Sequence, residues 1–221
     1  MRRNPASPRG VANPVATLES TAPVAAVEAI AAIGRFAASR GWVPATSGNF
    51  SCRIDAGHVA ITRSGVDKGN LGAADIAVLA IDAPIPAGVS AETPLHLARY
   101  AADPDLGAVV HVHTIAATVL SRLEEGAGAL TLSGYEMHKS LQGITTHESD
   151  VVLPIFSNSQ DTQALARTVE GRLGSNPRSP GYLLAGHGLY AWGATMKDAR
   201  RHLEGLEFLL ACALEERRLS R

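Results

Sequence analysis

The chain has 221 residues, 46% of them apolar, which is enough to bury a sizeable core, and a formal net charge of −1. Without a long Lys/Arg cluster, nucleic acid and anionic membrane surfaces are not expected partners, whereas a small anionic substrate needs only a local nest of amides and a few donors. No apolar run reaches the roughly 18 residues that span a bilayer, and two distant cysteines, Cys52 and Cys212, fit a reducing, cytoplasmic setting rather than a disulfide framework.

In chain order, residues 1–17 carry Arg2, Arg3, Pro5, Pro8, Gly10 and Pro14 with little to bury. They are expected to be a disordered lead into a single domain over residues 18–221. A helix is predicted from Val24 to about Arg40, stopped by Gly41. Asn49–Ile54 and Val59–Arg63 flank a turn and predict a hairpin, and Ile76–Ile81 predicts a third strand. Thr93 or Pro94 opens a helix through Ala101, because proline suits a first helical turn. Gly107–His113 predicts a strand followed by a helix over Ile115–Arg122. Val151–Phe156 is a further strand backed by a helix over Asp161–Leu173. Two short strands, Tyr182–Ala185 and Leu189–Trp192, flank Gly186-His187-Gly188. An amphipathic helix from Met196 to about Arg218 closes the chain, with Leu203, Leu206, Leu210 and Leu214 along one side. The mixture predicts an α/β fold with a mixed sheet between helical layers.

His111-Val112-His113 ends an apolar run. Side chains two apart on a strand share a face, so both imidazoles can reach one ion while Val112 enters the opposite core. Two neutral imidazoles suit a borderline-soft divalent metal, and an open catalytic zinc site wants three protein ligands. His187, between two glycines at a strand end, is the expected third. The other histidines, His58, His96, His138, His147 and His202, are expected on surfaces or helix faces.

Three Ser/Thr/Gly loops could converge on a phosphate dianion. They are Thr46–Ser51 with Gly48 and Asn49, the Thr62-Arg63-Ser64-Gly65 turn, and the Pro86–Glu92 stretch with Ser90. Lys68 and Lys139 are candidate charge partners.

Taken in this order, the Gly-Asn loop, the Thr-x-Ser-Gly loop, Ser90-x-Glu92, His-x-His and the late histidine resemble the class II aldolase/adducin family over residues 24–218. Within it, Ser90-Ala91-Glu92-Thr93-Pro94-Leu95-His96, Tyr135-Glu136-Met137-His138-Lys139 and Gly186–Gly193 resemble its dehydratase branch. The resemblance implies a largely antiparallel central sheet flanked by helices in three layers, and a homotetramer with active sites near subunit interfaces. It also implies one Zn2+ on His111, His113 and His187. The implied reaction is metal-dependent dehydration of a methylthio-substituted ketose phosphate. Glu136 is then the expected acid/base, with Ser90, Glu92 and Lys139 among the substrate contacts. Glu92 stands where the aldolases of the family keep their catalytic carboxylate, so it is the rival base. Aldol cleavage or epimerisation of a sugar phosphate is the alternative activity, and a non-catalytic adducin-like role the more distant one.

Overall fold

A computed structural model describes residues 21–174 and 179–220; the expected disordered lead, residues 1–17, lies outside them. The first helix, α1 (Val24–Ser39), buries Ala26, Ile30, Ile33 and Ala37, the spacing of a single helical face. It ends where Gly41 takes φ 70°.

The hairpin forms from β1 (Asn49–Arg53) and β2 (His58–Thr62). Asp55 stabilises its turn by accepting from the Gly57 amide at 2.8 Å. After β3 (Ile76–Ala80) come α2 (Thr93–Ala102), with Pro94 in its first turn, then β4 (Ala108–Val112) and α3 (Ile115–Leu123). The chain continues through β5 (Ala129–Leu132), β6 (Val151–Phe156), α4 (Thr162–Leu173), β7 (Gly181–Leu184) and β8 (Gly188–Gly193). It closes with α5 (Met196–Leu219). The N-termini of α3, α4 and α5 are capped by Thr114, Asp161 and Thr195, each accepting a backbone amide from the first turn.

The eight strands form one sheet in the order β3-β2-β1-β4-β8-β7-β6-β5. Every neighbouring pair is antiparallel except β6 and β7, which are parallel and joined through α4. Two apolar cores sandwich the sheet. One gathers Phe50, Val110, Val112 and Leu189 with residues of α1, α3 and α5. The other gathers Ile61, Val109, Tyr182 and Tyr190 with residues of α2 and α4. The result is the three-layer, largely antiparallel arrangement the sequence leads one to expect.

Pairing also fixes one sheet end. Asn49 opens β1 opposite His111 near the end of β4, and His111 lies opposite Tyr190 of β8. The start of β1, the end of β4 and the β7–β8 turn therefore meet at one end of the sheet's central strands.

Candidate metal centre

That end carries the histidines. The alternation of β4 puts Val110 and Val112 into the core beside α5, so His111 points to the α2 face. His111 is fully buried and stacks on Tyr190 (centroids 3.9 Å apart, planes at 15°), which in turn stacks on Tyr182. Its Nδ1 donates to the Leu189 carbonyl at 3.0 Å, which leaves Nε2 as a bare lone pair.

His113 sits just past β4, where its amide donates to Trp42 O at 2.9 Å. His187 occupies the tight β7–β8 turn. Thr118 donates to its carbonyl at 2.8 Å, and the Gly186 amide donates to Ser121 Oγ at 3.1 Å, so α3 holds the turn in place. Close approach requires glycine at 188: a Cβ there would lie 2.1 Å from Val112 O and 3.1 Å from His111 Cε1.

The three rings converge. His113 Nε2 is 2.8 Å from His111 Nε2 and 3.0 Å from His187 Nε2. Glu92, at the N-terminus of α2, faces them, with Oε1 2.8 Å from His187 Nε2 and Oε2 3.4 Å from His111 Nε2. Donor atoms of all four side chains lie within 4.8 Å of one another.

Burial drives the pKa of His111 well below the ordinary imidazole range. Burial and the neighbouring His187 ring push His113 down to about 4. Burial opposes a charge on Glu92, but the His111 and His187 rings and the Asn49 amide outweigh it and hold its pKa well below the usual carboxylate range. Three imidazoles, two of them kept neutral by burial, and a carboxylate crowd about one point and form a donor set that wants a cation. A tetrahedral ion bonded to nitrogen at about 2.0–2.1 Å would hold its ligands roughly 3.3 Å apart, close to the separations seen. The residues present fit a divalent metal.

Of the expected substrate-binding residues, the structure links some and separates others. Asn49 Nδ2 donates to Glu92 Oε2 at 2.5 Å and to Ser90 Oγ at 3.2 Å, so these three form one polar group beside the imidazoles. Gly48 takes φ 74°, and a Cβ there would lie 2.7 Å from His111 O, so the loop rests directly on β4. Thr62 turns inward and accepts from the Phe50 amide at 3.2 Å. Ser64 and Gly65 lie on an exposed turn. Lys68 is buried; its Nζ donates to Thr46 O and Val66 O at 2.7 and 2.8 Å, tying two of the Ser/Thr/Gly loops together.

Glu136 and Lys139 are not in the four-residue cluster. They sit on a short 3-10 helix, Glu136–Ser140, paired with each other at 2.6 Å and exposed, with His147 3.5 Å from Glu136.

Of the histidines expected on surfaces or helix faces, His96 and His202 do lie on helices, α2 and α5, but these two and His138 are buried. For His96 a signal was present, since it follows Glu92 by four residues, one helical turn beneath it. His202 donates from Nδ1 to Trp192 O at 2.7 Å and accepts from the Gln142 amide at 3.0 Å, pinning a loop to β8.

Comparison with known proteins gives four findings. The family model described as Class II Aldolase and Adducin N-terminal domain matches residues 28–214. Methylthioribulose-1-phosphate dehydratase of Bradyrhizobium sp. strain BTAi1 is 51% identical over 206 residues, covering 91% of this chain and 95% of that protein. Its counterpart in Pectobacterium carotovorum subsp. carotovorum strain PC1 is 53% identical over 183 residues, covering 81% and 89%. Among solved structures, L-fuculose-1-phosphate aldolase from Thermus thermophilus superposes with a TM-score of 0.72 at 27% identity, covering 88% of this chain and 95% of that one.

Proposed function

This chain belongs to the class II aldolase and adducin family, and from that premise we propose that it dehydrates 5-methylthioribulose 1-phosphate in methionine salvage. The observation that carries the reading is identity of about half the residues over nearly the full length of both chains to relatives named for that reaction. The solved aldolase is far more distant in sequence.

His111, His113 and His187 are the proposed ligands of one Zn2+, three imidazole nitrogens of the four-residue cluster, which is the ligand number of an open catalytic site. The cation, when bound, supplies Lewis acidity that polarises the C2 ketone and makes the C3 proton easier to remove. Loss of that proton and of the C4 hydroxyl as water leaves an enol at C3, and tautomerisation gives the 2,3-diketone. The chain must therefore accept one proton at C3 and deliver one to the departing hydroxyl.

Glu92 faces the imidazoles, 2.8 Å from His187 Nε2, and is the rival acceptor of the C3 proton. Glu136 is the proposed acid/base for the departing hydroxyl. Its carboxylate stands on the chain's own surface, so we assign it to the centre of a neighbouring subunit in a homotetramer. An apolar stripe supports self-association: Ile115, Val119 and Leu123, spaced by four along α3, are exposed immediately after the ligand His113. The Asn49–Ser90 group, Gly48, Ser64 and Gly65 are the proposed phosphate-side contacts, where fixing one end of the substrate orients its reacting carbons; Thr62, expected among them, is fully buried with its hydroxyl on the Phe50 amide and does not face substrate. Two free cysteines, one of them buried, are consistent with a cytoplasmic site of action.

The test is to assay the purified protein against methylthioribulose phosphate, fuculose 1-phosphate and ribulose phosphate. Diketone formation is expected with the first; release of a three-carbon product from the others would establish aldol cleavage instead. Glu136→Gln should keep its metal and lose about 10²–10⁴ in turnover. Mixing Glu136→Gln with His111→Ala subunits should restore activity if Glu136 acts across the subunit contact.

A further inference from the structure

Behind Glu92 runs a chain of hydrogen bonds that ends deep in the core. Asn49 Nδ2 donates to Glu92 Oε2 at 2.5 Å, and Asn49 Oδ1 meets His96 Nε2 at 2.5 Å. His96 Nδ1 lies 2.7 Å from Ser51 Oγ, which lies 2.9 Å from Tyr100 Oη. Asn49, Ser51, His96 and Tyr100 are all buried, each no more than 2% exposed.

Chemistry fixes the direction of every link. Asn49 Nδ2 donates to both Glu92 and Ser90, which leaves Asn49 Oδ1, an acceptor only, facing His96. His96 Nε2 must then carry the proton. Burial keeps the ring neutral, with its pKa lowered to about 4, so Nδ1 is an acceptor and takes the Ser51 hydroxyl proton. Ser51 in turn accepts from Tyr100, whose oxygen receives a further hydrogen bond from the Val109 backbone. All donors point one way, from the sheet backbone to Glu92, and each bond polarises the next.

The layout follows from sequence. Glu92, His96 and Tyr100 are spaced by four on α2, while Asn49 and Ser51 are spaced by two on β1, so one helix face meets one strand face. Inside a core dominated by apolar groups, a polar row of this kind costs stability unless it is fully satisfied. This one is satisfied, and its open end is the metal-facing carboxylate.

We propose that His96 is a positioning residue: through Asn49 it sets the rotamer of Glu92 at the metal centre, with Ser51 and Tyr100 fixing the tautomer of the His96 ring. This rests on the reading of the cluster as catalytic, though not on which sugar phosphate is turned over.

The test uses the metal-loaded full chain and two substitutions of similar bulk. In His96→Gln the amide nitrogen takes the place of Nε2 and still donates to Asn49. In His96→Asn the side chain is a carbon shorter; it can meet Ser51 and leaves Asn49 Oδ1 unpaired. Turnover should fall about 10–100-fold in His96→Asn and only a few-fold in His96→Gln, with KM and metal content unchanged in both. Equal losses, or a change confined to KM, would overturn the proposal, because simple loss of the buried ring affects both variants alike. Should the His96 variants not fold, Tyr100→Phe carries the same test: kcat should drop several-fold at constant KM and metal content, and an unchanged kcat would overturn the relay. A second readout needs no substrate. In 15N-histidine-labelled protein His96 should titrate as the neutral Nε2–H tautomer, and the Nδ1–H form would sink the assignment. A protein inactive on methylthioribulose phosphate yet showing that tautomer would remove the proposed substrate and leave the relay standing.

Discussion

Replacing Gly188 with alanine should damage both the fold and the candidate metal centre, by comparable amounts. The new Cβ would lie 2.1 Å from the Val112 carbonyl oxygen, well inside the 3.0 Å that real contacts respect. Strands β4 and β8 must then part by roughly 1 Å, an overpacking strain of about 1–3 kcal/mol. The displacement falls beside the bond from His111 Nδ1 to Leu189 O that orients the ligand ring. Disturbing such a bond typically weakens metal affinity by about 10–100-fold. At fixed metal concentration this removes a further ~1.4–2.7 kcal/mol of metal-dependent stability. Denaturant unfolding with and without Zn2+, with a chelator-competition titration of affinity, separates the two contributions. Gly126→Ala is the control, because its Cβ meets nothing within 4 Å; it should change stability by no more than about 0.5 kcal/mol. If Gly188→Ala retains the full metal-dependent increment, the close β4–β8 approach is not what holds His111 in place.

Three other outcomes are expected. Gly171 lies inside α4 with open space around its missing Cβ, so Gly171→Ala should stabilise the protein by about 0.5–1 kcal/mol in thermal unfolding. Glu207 on α5 is buried, and burial pushes its pKa up to about 8. Between the ordinary carboxylate range and about pH 8 the folded state holds a proton that the unfolded chain has released. Stability from this group is therefore full below that window and is lost as pH rises through it, by up to ~1.4 kcal/mol per pH unit. Glu207→Gln should flatten this part of the stability profile, and an unchanged slope in pH-resolved denaturant titrations would count against a neutral Glu207. His202→Leu loses the bonds to Trp192 O and the Gln142 amide. It should cost about 2–3 kcal/mol by equilibrium unfolding, and exchange protection of the Gln142 amide should fall with it.

The boundaries of α1, α5 and the β1–β2 hairpin follow from local rules: apolar spacing, a glycine stop, and a turn between alternating segments. Strand β5 did not announce itself. Its four residues between turns have no distinctive pattern, and pairing with β6 is what makes Ala129–Leu132 extended. The His-x-His pair was legible because period two is a property of the strand itself. The burial of His96, His138 and His202 was not, since a histidine's exposure depends on which elements cover it.

By itself, then, the sequence determined which residues could act as ligands and which helices and strands would carry them, because those choices depend on neighbours a few residues apart. Tertiary structure alone decided that Glu92, rather than Glu136, stands against the three imidazoles within one chain, and that Asn49, His96, Ser51 and Tyr100 line up behind it. The contacts of Asn49 and Ser51 with Glu92, His96 and Tyr100 join residues more than 40 positions apart through sheet register and the packing of α2, and pairings over that distance are set by the assembled core rather than by local pattern.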